Sequence, residues 1–459
     1  MVETPRRMKL SRLIIAAVLL AGLIGALWYS NKKEEEKAST PTKDTTPKIL
    51  AVPEANVTGL EIKKRSGEDT VLTKSGSNVW SISAPKPLPA DQAAVSTILS
   101  STNSLSSDRV IDDNVTDLGS YGLSPAADEV ILKLKDGSSK RLLIGDSNPA
   151  GNAVYAKVDG DSHLYTMASS SKGTFDKETK DLRDKRLLTF DQEKATRVEL
   201  NAKKEAIEFG RINQTDWQIL KPKPLRADGF AVEELVRKLK EANMDTNISE
   251  DDAKKAATTW GSATPVATVK VTDPGGTQTL EVRKVAKDKD FDYFAKSSVV
   301  DGVHKVGKDL GTGVDKGLDD FRNKKVFDFG FSDPTKIDFK DGPRVASYQK
   351  SGDKWTSGNK SMDSTTIQAL IDKLRDLSAA KFVESGFTTP QVEISVVSND
   401  GKRTEKVEIA PEAGGKFIAK REGEAAMYEI EGNTIAELRG VAADVKEAAK
   451  EDASKAKKK

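Results

Sequence analysis

At 459 residues the chain is too long for one ordinary hydrophobic core, and length alone points to about three domains. It has no cysteine, which excludes disulfides, thiolate metal sites, cysteine nucleophiles and a lipid-bearing cysteine. Lys plus Arg number 73 against 71 Asp plus Glu with the signs interspersed, so the basic footprint of a nucleic-acid binder is missing.

Residues 1–12 form a basic start carrying Arg6, Arg7, Lys9 and Arg12. Residues 13–31 carry no charge and as a helix would span about 28 Å, enough to cross a bilayer. Glu34, Glu35 and Glu36 follow Lys32 and Lys33, so the positive-inside rule predicts a cytoplasmic amino terminus and a periplasmic body, single-pass in a bacterial inner membrane. Trp28 and Tyr29 suit the outer headgroup interface. No small-x-small cleavage site follows the apolar run, which favours an uncleaved anchor over a signal peptide. Residues 32–48 are charged and rich in Thr and Pro, the composition of a flexible tether.

The body then repeats itself. Asp91, Asp228 and Asp363 each precede apolar residues four, seven and eight places on, ending at Leu99, Val236 and Ile371, the pattern of a capped amphipathic helix. Before each helix stand alternating strands and a tryptophan (Trp80, Trp217, Trp355), and the first two are led in by Pro-Lys-Pro-Leu. After each come a short strand (109–111, 246–248, 381–383), a Gly and Pro loop, and a hairpin. The hairpin turns hold Asp136-Gly137, Gly275-Gly276 and Asp400-Gly401, residues suited to positive φ. The predicted fold class is α+β, with three tandem modules of mostly antiparallel sheet and at least one packed helix. The modules are 49–190, 191–330 and a shortened 331–445, followed by a charged tail at 446–459. Near-identical text closes the first two, from Leu182 to Phe190 and from Phe321 to Phe329, while the third keeps only Leu438 and Arg439.

The landmarks Leu60 to Lys64, Trp80, Pro89-Ala90-Asp91, Tyr121-Gly122-Leu123 with Pro125, Leu143-Ile144-Gly145, Tyr155-Ala156-Lys157 and Leu182-Arg183-Asp184-Lys185 fall in order. In this the chain resembles the bacterial family called DUF4340, most clearly over residues 50–330. That resemblance implies an envelope protein with an amino-terminal anchor, in some cases beside ABC-type transport systems related to gliding motility. It transfers no catalytic residue.

Candidate chemistry is sparse. His163 and His304 occupy matching places before a last strand, which scaffold position explains better than a metal or triad. Asp288, Asp290 and Asp292 open like a calcium loop, but Tyr293 and Val299 stand where glycine and glutamate are needed. The run from Gly311 to Gly317 lacks phosphate-loop spacing and reads as loop text. The tryptophans read as core, with Trp260 the candidate for an exposed ligand-stacking ring. Arg183, Lys185, Arg186, Arg322, Lys324 and Lys325 form basic clusters at the module junctions, read as solvated or salt-bridging segments and, more sharply, as a partner-docking surface.

The expected function is that of a non-enzymatic, membrane-anchored periplasmic accessory or scaffold protein, with no cofactor, probed by two partner classes besides the bilayer contacted by residues 13–31. ABC-transporter membrane subunits are the first. Cell-wall glycan is the alternative, and a hydrolase ranks last.

Overall fold

The computed structural model describes residues 47–449 except 215 and 249, and the side chains of 250–253 stand outside that description. The basic start, the anchor, most of the tether and the tail from residue 450 lie outside the described residues. Among the described residues no helix is long and apolar enough to cross a membrane.

The three aspartates start helices as their spacing predicts. The helices α1 (Gln92–Asn103), α2 (Gly229–Lys240) and α3 (Ser364–Asp376) begin where an aspartate carboxylate accepts backbone N–H groups of the first turn. Asp91 takes those of Ala93 and Ala94, Asp228 that of Ala231, and Asp363 those of Thr365 and Thr366. The apolar stripe is buried in all three: Val95, Ile98 and Leu99; Val232, Leu235 and Val236; Ile367, Leu370 and Ile371. Helices this short are marginal alone, so packing of that stripe on a sheet holds them.

The architecture is α+β, built on mostly antiparallel sheets. Three large sheets carry their strands in one order. In the first, the strands before α1 run from Leu88–Pro89 through Trp80–Ala84 and Thr70–Lys74 to Val57–Lys64. There Val57–Lys64 meets Asp128–Leu134, with Leu60 opposite Leu132, and the later strands continue outward to Leu164–Ala168 and Arg109–Asp112. The second sheet has the same central pair in Arg197–Ala202 and Thr264–Asp273, and the third in Lys336–Asp341 and Val392–Ser398. The second has eight strands rather than nine. Its expected strand at 246–248 is replaced by a single bridge between Met244 and Val306, because Asp245 turns the chain by accepting the Asn247 N–H at 2.9 Å. The hairpin turns hold Gly137, Gly276 and Gly401 at φ of 82°, 120° and 83°.

The chain divides into two compact units, one ending at Asp184 and one spanning Lys185–Lys459. In the second unit, one continuous apolar core runs from Leu187 to Ala442 and serves both the second and third sheets. Buried apolar residues of the second and third sheets thus join in this core.

Two further expectations change. The tether ends before Lys48, which opens a strand, Lys48–Leu50, paired with Leu105–Ser106, because Ile49, Leu50 and Val52 are buried. The Gly311 and Gly313 run is a helix, Lys308–Val314, rather than a loop. A Cβ at Gly311 would lie 2.1 Å from the Tyr293 ring, so glycine there permits the helix to lie against the sheet.

Candidate functional site

The junction text serves two purposes along its length. Its first part closes its own fold: Arg183 bridges Ala90 and Arg322 bridges Ala227, each beside the aspartate that caps the helix. The Asp91 N–H donates to Leu182 O at 2.8 Å and the Asp228 N–H to Phe321 O at 2.7 Å. Three residues on, the text joins the turn after a following helix. Arg186 bridges Asn243 after α2, and Lys325 bridges Ser378 after α3. At the front of the chain Pro47–Leu50 fills the same place after α1, with the Ser107 N–H donating to Pro47 O at 2.7 Å. At the back, Lys446 to Ala448 closes the third sheet: the Asp363 N–H donates to Lys446 O at 2.9 Å and Glu447 bridges Met362. Leu438 and Arg439, expected to close it, lie instead within the helix Gly432–Ala443, where Leu438 is buried.

Within the second unit this arrangement builds a charged centre. Arg226, just before the α2 cap, donates through Nη2 to Lys325 O at 2.6 Å and to the Tyr428 hydroxyl at 2.9 Å. Its Nε lies 2.9 Å from Glu424 Oε1 and its Nη1 3.4 Å from Asp328 Oδ2, ion pairs angled away from hydrogen bonding. Arg421 reaches Glu424 at 2.7 Å and Glu405 at 2.9 Å, and donates to Val326 O. Arg403 lies 3.4 Å from Glu405 and 3.6 Å from Asp328. Three guanidinium groups thus face three carboxylates, with Arg403 and Asp328 at the exposed side and the balance letting charge persist at Arg226, Arg421, Glu405 and Glu424. Burial pushes the Glu424 carboxyl up, but Arg226 and Arg421 outweigh it and hold it below the usual range. Burial also raises the Tyr428 hydroxyl, with Arg226 offsetting only part. Arg226, Glu424 and Tyr428 carried no sequence signal beyond Arg226 replacing Pro89 in the repeated Pro-Leu-x-Ala-Asp text.

The predicted basic residues fall around this centre in the second unit. Arg322 is 7% exposed, stacks at 3.4 Å on the Phe382 ring and pairs with Asp319 at 3.1 Å. Lys325 lies 3.5 Å from Asp376 and donates to Arg375 O at 3.1 Å. Lys324 is exposed, and its carbonyl accepts the Ala379 N–H at 2.8 Å. Lys185 O accepts the Met244 N–H at 2.8 Å, and Arg186 is exposed. Arg183, in the first unit, is half-buried with Nε enclosed and without a hydrogen bond, and burial lowers its pKa. The structure therefore uses Arg322 and Lys325 internally, while Lys324 and Arg186 are exposed.

Trp260 is 8% exposed rather than open, so its ring is no solvent-facing platform. Arg283 and Lys296 lie over it at 4.8 and 5.1 Å, and Arg283 donates to its carbonyl at 3.0 Å. Trp80, Trp217 and Trp355 are 3–4% exposed. His304 Nε2 lies 3.0 Å from Asp301 O, and His163 Nδ1 2.6 Å from Asp161. Asp290 pairs with Lys308 and Asp292 with Lys287 and Lys305, on a charged sheet edge. Among the described residues no group of three or more His, Asp or Glu side chains could hold a metal ion.

In the first unit, landmarks scattered in sequence meet. Arg65 Nη2 donates to Gly122 O at 2.6 Å and to Pro125 O at 2.9 Å, pinning the Tyr121 to Pro125 loop to the sheet. The Tyr121 and Tyr155 rings meet edge to face at 4.9 Å. A Cβ on Gly145 would lie 2.2 Å from Tyr121 O, and Gly122 sits at φ 64°. The sequence model described as a domain of unknown function, DUF4340, matches residues 80–216 and 217–394. Among curated proteins and solved structures, nothing matches the chain.

Proposed function

Because that model covers more than half of its length, the chain belongs to the DUF4340 family, and from this premise we propose that it is a non-enzymatic accessory or scaffold protein held to the inner membrane by residues 13–31. Its body, three tandem modules of one design, stands in the periplasm and works by binding, as part of an ABC-type envelope transport or gliding-related system. The observation that carries this reading is the Arg226 centre. Its charges are spent on each other and on backbone carbonyls at the joint between two sheets, which is what a rigid spacer needs. The uncharged run at residues 13–31 after a basic start supports the anchorage.

The test is crosslinking in intact cells, gentle membrane extraction and identification of what co-purifies with the tagged protein. Recovery of ABC-transporter membrane subunits, lost when residues 49–445 are deleted and the anchor kept, is the expected result. Recovery of no protein partner, with retention on purified cell-wall material, overturns it in favour of glycan binding.

A further inference from the structure

The tyrosine and carboxylate that hold Arg226 in the third sheet have a counterpart in the first. Tyr428 donates to Glu424 Oε2 at 2.8 Å, four residues back, and Tyr165 donates to Asp161 Oδ2 at 2.8 Å, also four residues back. Both tyrosines sit on the strand that lies between the last hairpin strand and the short strand after the helix. For Tyr428 the neighbours are Phe417–Arg421 and Lys381–Val383, and for Tyr165 they are Ala153–Val158 and Arg109–Asp112. In the third sheet the pair receives an arginine from a neighbouring fold. In the first, the groups against Asp161 are local: the His163 N–H at 3.0 Å, the His163 ring at 2.6 Å, Tyr165, which is 6% exposed, and the Lys157 ammonium, which donates to the Asp161 carbonyl. Side-chain exposure there is 30% at Asp161, 42% at His163 and 79% at Asp113, which lies 3.8 Å from His163 Nε2. Asp112 and Asp159 are exposed beside it.

We propose that the Asp161, His163 and Tyr165 face is a docking surface for an arginine presented on an extended segment of a partner protein, received as Glu424 and Tyr428 receive Arg226. A guanidinium matches this pair because one nitrogen can donate to the phenol oxygen while the delocalised charge lies against the carboxylate, as in Arg226, which a lysine ammonium does not reproduce. The incoming arginine displaces the His163 ring from Asp161, and the surrounding aspartates favour a basic segment. This rests on the reading of the protein as a binding protein and names the face it uses.

The probe is a fluorescent peptide copying residues 221–228, Lys-Pro-Lys-Pro-Leu-Arg-Ala-Asp, titrated by anisotropy against the full chain in detergent micelles. The expected result is saturable binding that weakens about tenfold when the peptide arginine is replaced by lysine and when the protein carries Asp161→Asn. Tyr165→Phe, which removes only the hydroxyl, carries the same test should Asp161→Asn fail to fold by circular dichroism. Weakening of threefold or more in both the peptide and protein variants supports the surface. No saturable binding, or any smaller change, overturns it. Because the components are purified, that failure is distinct from a failure of the cellular crosslinking.

Discussion

Replacing Arg226 with methionine keeps the length of the side chain and removes the charge at the joint of the second and third sheets. The Arg226 to Glu424 separation is 2.9 Å, which at an effective dielectric of 20 corresponds to a gross attraction of about 6 kcal/mol. Desolvation consumes much of this. Arg421 remains 2.7 Å from Glu424, so the carboxylate is not abandoned. A net loss of about 2 kcal/mol follows, within the range of couplings measured between contacting charges. The reporters are the Val326 N–H, bonded to Leu377 O, and the Ala379 N–H, bonded to Lys324 O, both at 2.8 Å and flanking the carbonyl that Arg226 grips. Their hydrogen-exchange protection is expected to fall roughly 30-fold at about 1.4 kcal/mol per decade. The Ser107 N–H, in the first unit, is the internal control and keeps its protection. In a cycle with Glu424→Gln, the double variant loses less than the sum of the singles. Protection at Val326 and Ala379 within threefold of the parent, or strict additivity in the cycle, would refute the view that this centre holds the joint.

Asp91→Ala removes a carboxylate that caps two N–H groups of α1 and is expected to cost about 1 kcal/mol, read as a lowered denaturation midpoint of the first unit. Trp260→Ala empties a site that is 8% exposed and is expected to cost about 3 kcal/mol, whereas a loss below about 0.5 kcal/mol in chemical denaturation would mean the ring is not core. Gly145→Ala drives a methyl to within 2.2 Å of Tyr121 O, and at least about 1 kcal/mol of destabilisation is expected from overpacking, visible in thermal melts. Two aspartates of the first unit give opposite pH dependences. Burial raises Asp161, but hydrogen bonds from His163 and Tyr165 outweigh it and hold it at about 2, below its ordinary 3.8; its contribution is present above the ordinary value and is lost as pH falls through about 2. Asp128 is raised, chiefly by burial and next by Asp176, so the stability it gives when protonated is lost as pH rises through its folded-state value. Asp128→Asn therefore gains on the parent as pH rises across that range in urea titrations, and a constant difference would count against the assignment.

The helices were legible because their signal is local. An aspartate followed by apolar residues at four, seven and eight places states both the cap and the buried face, and packing agreed with propensity at Asp91, Asp228 and Asp363. The hairpin turns were legible for the same reason, since Gly137 and Gly401 need φ values that other residues resist. What escaped was information held between distant segments. Glycine at 311 looks like a loop until the Tyr293 ring is seen against it, and Trp260 could not be assigned to surface or core without the positions of Arg283 and Lys296.

The junction text shows why a repeated string need not coincide with a structural boundary. Leu182 to Phe190 reads as one closing phrase, yet Arg183 pairs with Ala90 in the first unit while Arg186 pairs with Asn243 in the second. The division falls inside the phrase because each half is satisfied by a different helix turn. Joining a following helix takes a basic residue and then an aliphatic one, as in Arg186-Leu187, Lys325-Val326 and, at the front, Lys48-Ile49. Counting the same three residues on from Glu447, which bridges Met362 as Arg183 bridges Ala90, reaches Lys450 and then Glu451, not an aliphatic side chain.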